Sequence, residues 1–267
     1  MYLYPMFNRQ KIINLKKYFC FYVILSVVIS CQKKESPLAF KNTIYNATTL
    51  ETCKNGICPE IEINKLTAQG PDELSDSINN AIERILISNL IINPDESPEI
   101  KTLDKAIANF ISSYRSYQDE FPETSAGYVF TSNSTTSYNG EELLSIIFDT
   151  YSFWGGAHGY GSTTYLNIDK QNGKSLSPEN LINDLPAFLK LVEQKFRNQK
   201  EIPENESINS TGYFFENDSF ILPANIGFTE NEMILIYNPY EVASYAEGQI
   251  IIKIALSEVA PFIKPNL

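Results

Sequence analysis

Hydrophobic and polar positions change period several times along the chain, and each change predicts an element. Between Asp72 and Leu90, residues Leu74, Ile78, Ala81, Ile82, Ile85 and Leu86 recur at helical spacing, which predicts an amphipathic helix. A second stripe, Ile100, Leu103, Ala106, Ile107, Phe110, Ile111 and Tyr114, follows Ser97-Pro98-Glu99. There Ser serves as cap, Pro fits the first turn and Glu faces the positive end of the helix dipole. Both stripes read as core faces, and the acids flanking them argue against a membrane-surface helix. Elsewhere the period is two. Ile61 and Ile63 alternate with Glu60, Glu62 and Asn64, and Leu143, Ser145, Ile147, Asp149, Tyr151 and Phe153 share one face of a strand over 141–153. Residues 124–138, 163–169, 225–229, 233–238 and 249–255 also read as strands, with Asn139-Gly140 and Asn172-Gly173 as turns. Ser177-Pro178-Glu179 starts a helix, 186–199 is amphipathic through Phe188, Leu189, Val192 and Phe196, 201–219 is a polar loop, and 257–263 is a short terminal helix. This order predicts an α+β fold of antiparallel sheets with segregated helices packed on one face, not a parallel βαβ sheet.

The first thirty residues read differently. Arg9, Lys11, Lys16 and Lys17 precede an apolar run over 18–29, which is too short to span a bilayer and suits the core of a secretory signal. The run ends Val28-Ile29-Ser30-Cys31, which resembles a bacterial lipobox, so Cys31 is expected to carry lipid. The alternative is an ordinary signal peptide that happens to hold a Cys. The expected organisation is a signal over 1–30, a tether over 31–42, and two α+β halves over 43–140 and 141–267. The short polar stretch after Cys31 also resembles a surface-export signal of outer-membrane lipoproteins. The localisation expected is therefore a bacterial membrane lipoprotein, periplasmic or at the cell surface, in the outer membrane.

Charge follows from that cleavage. The whole chain has 21 basic and 32 acidic residues, and residues 1–30 hold four of the basic ones and no acid. The remainder carries a net charge of −15. Such a chain repels nucleic acid and anionic lipid and attracts basic partners, although acidity also serves solubility alone.

Of the four cysteines, Cys20 leaves with the signal and Cys31 is the lipid site, which leaves Cys53 and Cys58 in an oxidising compartment. They flank Lys54-Asn55-Gly56-Ile57. With Asn55-Gly56 as a two-residue hairpin turn, Cys53 and Cys58 form a non-hydrogen-bonded cross-strand pair, within disulfide range at a Cα separation of about 4.5 Å. A metal site needs two more ligands, and no nearby His or Cys supplies them. No cofactor motif is present.

One stretch, Tyr151-Ser-Phe-Trp-Gly-Gly-Ala-His-Gly-Tyr160, holds the single Trp, the single His and three of the twelve glycines. A glycine cluster between strands marks a close approach of the backbone to the core or to a ligand. His158 is a candidate base, with Asp149 or Asp169 to orient it and Ser152 or Ser162 as nucleophile. No Gly-x-Ser-x-Gly elbow and no second imidazole accompanies it, which favours a hydrogen-bonded structural histidine. Tyr151, Trp154 and Tyr160, with Tyr237, Tyr240 and Tyr245, are candidates for a stacking platform; the competing reading is that alternating aromatics are core.

The residues Tyr151, Gly155, Gly156, Ala157 and His158, with Tyr237, Pro239, Tyr240, Tyr245, Ala246 and Gly248, resemble the two motifs of the RsiV-type extracytoplasmic domain, domain of unknown function family 3298. The likeness covers about 151–262. Residues 43–138 resemble the domain found upstream in peptidoglycan deacetylases of the PdaC type, family 4163. The resemblance implies an extracytoplasmic, non-catalytic module, which in the anti-sigma factor binds lysozyme and in the deacetylase accompanies a separate catalytic domain. The function expected is a lipid-anchored envelope module that binds a basic wall hydrolase or peptidoglycan. A hydrolase or deacetylase using His158, and a purely structural lipoprotein, are the alternatives.

Overall fold

Five strands form the larger sheet: β1 (Ala39–Asn46), β2 (Glu60–Gln69), β3 (Tyr128–Asn139), β4 (Leu143–Trp154) and β5 (Tyr160–Asp169), in the spatial order β1-β2-β3-β4-β5. The computed structural model describes Met1 and residues 37–91, 100–123 and 127–264. The signal stretch, Cys31, the front of the tether and the Ser97-Pro98-Glu99 helix start lie outside the described residues. Among those described, no helix is long and apolar enough to cross a membrane.

Two helices, α1 (Asp72–Leu90) and α2 (Leu103–Glu120), connect β2 to β3. The side chain of Thr102 caps α2 by accepting from the Lys105 N–H. Their apolar stripes bury Ile78, Ile82, Leu86, Phe110 and Ile111 against Ile61, Ile63, Phe130, Ile146 and Phe148 in the first core. This crossover makes β2 and β3 parallel, while the other pairs in the sheet are antiparallel. The sheet is therefore mixed rather than purely antiparallel. A connection containing two helices is long enough to return the chain to the same end, which a hairpin does not do.

The expected tight hairpin at Asn55-Gly56 is also corrected. β1 ends at Asn46 and β2 begins at Glu60, and the closing residue pair is Asn46 with Glu62. Cys53 ends a 3-10 turn (Glu51–Cys53), so the Cys53–Cys58 disulfide closes a surface loop, with Cα atoms 5.3 Å apart. Arg115 of α2 holds that loop by donating from Nε to the Ile57 carbonyl at 2.9 Å and from Nη2 to the Thr52 carbonyl at 2.7 Å. Because the closed loop is short, removing the bridge with Cys53→Ser is expected to cost about 2 kcal/mol in denaturant unfolding. Mass spectrometry of the non-reduced protein checks the bond directly, and two free thiols would contradict it.

A second, three-stranded antiparallel sheet contains β6 (Asn225–Phe228), β7 (Glu232–Tyr237) and β8 (Ile250–Ala255), in that order. Between the sheets the chain forms the short helix α3 (Pro178–Leu181) and the amphipathic α4 (Leu185–Gln199), whose first turn Asp184 caps. Phe188, Val192 and Phe196 of α4 meet Met233, Leu235, Tyr237 and Ile252 in a second core. A last short helix, α5 (Leu256–Val259), follows β8. Residue 140 lies in the β3–β4 turn of the five-stranded sheet, and Leu143 at the start of β4 belongs to the second core.

The second sheet covers only part of the first sheet's other face. Ser145 Oγ accepts from the Phe228 N–H at 3.2 Å, and Asn167 Nδ2 donates to the Ile226 carbonyl at 2.6 Å, so β6 lies across one end of β4 and β5. The opposite ends of those strands, around Asp149, Tyr151, Gly161 and Thr163, stay open.

Candidate functional site

The open half of that face is the floor of a cleft of about 830 Å³. Strand register explains its chemistry, because residues directly opposite one another share a face. Ile44 pairs with Asn64, Asn64 with Asn133, Asn133 with Asp149, and Asp149 with Thr163, so one row crosses all five strands. Every member of this row lines the cleft. The next row, Glu62, Thr131, Tyr151 and Gly161, lines it too. No Lys, Arg or His is among the residues lining it. Asn64 Nδ2 donates to Asn133 Oδ1 at 2.7 Å, while the buried Asn64 Oδ1 has no partner.

The wall on the β5 side is the loop between β7 and β8, and one amide pins it. Asn238, 6 % exposed, accepts from the Thr163 N–H at 2.8 Å and donates back to the Thr163 carbonyl at 3.1 Å. It thereby completes the outer edge of β5 as another strand would. Gln249 Nε2 donates to Asn238 Oδ1 at 2.9 Å and to Thr163 Oγ1 at 3.1 Å, and Thr163 Oγ1 donates to Asp149 Oδ1 at 2.9 Å. Asn238 also donates to Glu241. Partial burial raises the Glu241 carboxyl above its ordinary range, and the hydrogen bonding from Asn238 opposes the rise.

After Asn238 the chain reverses through Pro239 and Tyr240, with the Glu241 N–H bonded to the Asn238 carbonyl at 3.1 Å. Tyr240 sits at φ 72°, in the third position of the turn, where Gly or Asn is the usual occupant. A bulky side chain held there costs roughly 1–3 kcal/mol. What the strained position supplies is a ring. Tyr240, His158 and Tyr245 form a stack, with His158 4.0 Å from Tyr245 and 6.5 Å from Tyr240, centroid to centroid. Tyr240→Gly is therefore expected to leave stability unchanged or raise it by up to about 1 kcal/mol in denaturant unfolding. A loss greater than that would mean the ring contributes more than the strain removes.

The structure separates the predicted site residues. Tyr151 is 43 % exposed on the cleft floor, and Tyr245 is at its lip, donating from its hydroxyl to the Gly159 carbonyl at 2.9 Å. Tyr160 is exposed and its hydroxyl meets the Pro239 carbonyl at 3.4 Å; burial of its lower part and the nearby Glu241 raise its pKa. A Cβ at Gly159 would stand 2.2 Å from the Tyr151 hydroxyl, so a larger residue there would displace that exposed ring. Gly155 turns at φ 81° beside Tyr117, and Gly156 is exposed. Trp154 points to the helix side, 4.8 Å from Phe110 and 5.8 Å from Tyr128, away from the other candidates. Tyr237 is 1 % exposed in the second core, its hydroxyl donating to the Ile221 carbonyl and its pKa pushed far up by burial.

His158, expected as a hydrogen-bonded structural residue, has a partner at each ring nitrogen. It is exposed, with Nδ1 3.1 Å from the Gly159 carbonyl and Nε2 3.4 Å from the Tyr240 hydroxyl. Asp149 is committed to Thr163, and Asp169 folds into the turn at the far end of β5 on Gln171 and Asn172. Ser152 is buried, and Ser162 lines the cleft. Among the described residues no group of three or more His, Cys, Asp or Glu is placed to hold a metal. Asn64, Asn133, Asn238 and Gln249 are the site residues that sequence reasoning missed. No period or motif marks a single amide; strand register brings Asn64 beside Asn133, and the loop between β7 and β8 adds Asn238 and Gln249.

Comparison with known proteins follows this division. Residues 175–257 match the profile of the protein family of unknown function DUF3298, and residues 51–160 match the profile described as deacetylase PdaC. The Tyr151–His158 motif thus falls within the PdaC match, and the Tyr237–Gly248 motif within the DUF3298 match. No curated protein matches the chain significantly. A crystal structure of a DUF3298 family member from Bacteroides fragilis shares the fold with a TM-score of 0.63 at 20 % identity, covering 86 % of this chain and 95 % of that one. A DUF3298 family protein from Pseudomonas aeruginosa PAO1 gives a TM-score of 0.56 at 20 % identity with the same coverage. By these matches the chain is similar to the DUF3298 family in its second half and to PdaC in its first, joined in one fold.

Proposed function

We propose that this protein is a non-catalytic binding module of the cell envelope, anchored by lipid on Cys31, whose cleft takes the glycan of peptidoglycan. The observation carrying the reading is the row Asn64–Asn133–Asp149–Thr163 flooring an open cleft with Tyr151 and Tyr245 at hand. Amides, a hydroxyl and a carboxylate beside flat rings suit a sugar, which needs directional hydrogen bonds along its edge and an apolar surface under its face. A basic wall hydrolase is the rival partner, supported by the net charge of −15 beyond residue 30.

The test is co-sedimentation of the full chain with purified peptidoglycan, beside binding of the same protein to a lysozyme. Retention on peptidoglycan that survives physiological salt supports the glycan. Binding to lysozyme alone, lost as salt rises, replaces it with the hydrolase. The deacetylase description of the matched profile supports a catalytic reading, in which His158, exposed at the cleft's edge, acts as base. Acetate released from acetylated glycan, and lost in His158→Gln, would establish that reading instead. For the anchor, Cys31→Ser is expected to abolish acyl labelling in cells, and labelling that persists would contradict lipidation at Cys31.

A further inference from the structure

We infer that Asn55 is a site of spontaneous deamidation, the one of three Asn-Gly steps that the fold leaves ready to react. The chain has Asn-Gly at Asn55-Gly56, Asn139-Gly140 and Asn172-Gly173. In such a step the glycine N–H loses its proton to solvent, and the amide anion attacks the asparagine Cγ. The new N–Cγ bond closes a cyclic imide as the Cγ–Nδ2 bond breaks, and ammonia leaves with a proton from solvent. Water then adds to either carbonyl carbon of the ring and breaks that carbon's bond to the ring nitrogen. Opening at Cγ gives Asp. Opening at the main-chain carbonyl gives isoaspartate, with the chain running through Cβ. Nothing is oxidised or reduced, and water is the co-reactant. Glycine favours the closure because no Cβ obstructs its nitrogen.

Two of the steps are held at both reacting groups. The Gly140 N–H donates to the Leu143 carbonyl at 2.9 Å, and Asn139 Oδ1 accepts from Lys170 Nζ at 3.1 Å. The Gly173 N–H donates to the Asp169 carbonyl at 2.8 Å. Asn172 Nδ2 donates to Asp169 Oδ2 at 2.6 Å, and Asn172 Oδ1 accepts from the Lys174 N–H at 2.9 Å. In both cases the local structure must open before the ring closes. Asn55-Gly56 differs at each group. Neither the Asn55 side chain nor the Gly56 N–H has a hydrogen-bond partner among the described residues, and both residues are exposed in the loop between β1 and β2. Arg115 acts on the same step. Its guanidinium comes within 3.4 Å of the position that a Gly56 Cβ would take. A positive charge there favours the amide anion over the neutral amide. The loop lies outside the strands, closed by the Cys53–Cys58 bridge, so the extra backbone atom of isoaspartate breaks no sheet pairing. The product adds a negative charge to the loop that Arg115 holds. The reaction needs no ligand and is independent of the glycan reading.

The experiment incubates the full chain in detergent at mildly alkaline pH, beside the same chain in guanidinium chloride. Mass spectrometry follows the peptide containing each Asn-Gly step until all three have converted in the denatured sample. In the folded chain Asn55 is expected to convert about tenfold faster than Asn139 and Asn172, because the bonds holding those two must break first. In the denatured chain the three rates should draw together. Asn55→Gln, whose longer side chain must close a larger ring, should remove the acidic charge variant that the folded parent accumulates. Asn139 or Asn172 converting as fast as Asn55 in the folded chain overturns the inference. So does an Asn55 that keeps its amide in the folded chain, or an acidic variant that persists in Asn55→Gln. A rate order that is undiminished in guanidinium chloride also overturns it, because the local sequence alone would then set the order.

Discussion

Gly227→Ala is expected to destabilise the protein by about 3 kcal/mol, at the upper end for an overpacked core. Gly227 lies in β6 where it crosses β5, and a Cβ there would stand 1.9 Å from Cδ1 and 2.2 Å from Cγ of Tyr165. Those atoms are at the root of the ring, so a small tilt does not clear them; Tyr165 must leave its rotamer or β6 must lift. Lifting β6 also strains the bonds from the Phe228 N–H to Ser145 and from Asn167 to the Ile226 carbonyl, which join the two sheets. Denaturant unfolding measures the cost. The double variant Gly227→Ala/Tyr165→Ala should lose less than the two single variants summed, because the second change removes the obstacle that the first one meets. Simple additivity would mean that the contact is not the cause.

Asn238→Ala is expected to cost about 2–6 kcal/mol, since it leaves both the N–H and the carbonyl of Thr163 without their partner, at about 1–3 kcal/mol for each unsatisfied group. The consequence should exceed stability. Asn238 begins the turn carrying Tyr240, and Gln249, next to Gly248 in the cleft wall, leans on its Oδ1. Without the amide the wall loses its attachment to β5, and affinity for peptidoglycan should fall even where the protein remains folded. Asn238→Asp keeps the acceptor for the Thr163 N–H and loses the donor to its carbonyl, so it should fall between Ala and the parent. An Ala variant that unfolds and binds like the parent would show that the docking amide is not a support of the site.

These two residues also mark where sequence reading stops. The Asp72–Leu90 helix was legible because six apolar positions repeat at its period, and the structure has a helix over that span. Strands were legible from alternation, but their partners were not, so the parallel pairing of β2 with β3 appears only once α1 and α2 have carried the chain across. The Asn55-Gly56 signal was overridden. Arg115 and the disulfide hold that segment as a surface loop outside the strands. Phase, when followed to the end of a strand, was more informative than residue type. Tyr237 continues the buried series Met233 and Leu235, and Trp154 continues Ile146 and Phe148, so both belong to cores although both are aromatic. Tyr151 falls in the opposite phase with Asp149, and it is the one left open to solvent. The amides of the site carry no such pattern: Asn64 and Asn133 meet only through strand register, and Asn238 joins them from the loop between β7 and β8 through Thr163.

We propose that glycan binds on the half-covered face of the larger sheet. Hydroxyl-radical footprinting of the full chain, with and without saturating soluble peptidoglycan fragments, tests it residue by residue. Tyr151 and Tyr245 should lose oxidation when the fragments are present, while the comparably exposed Phe121 and Phe214, which do not line the cleft, should be oxidised as before. Saturable binding that leaves Tyr151 and Tyr245 unprotected would contradict the claim.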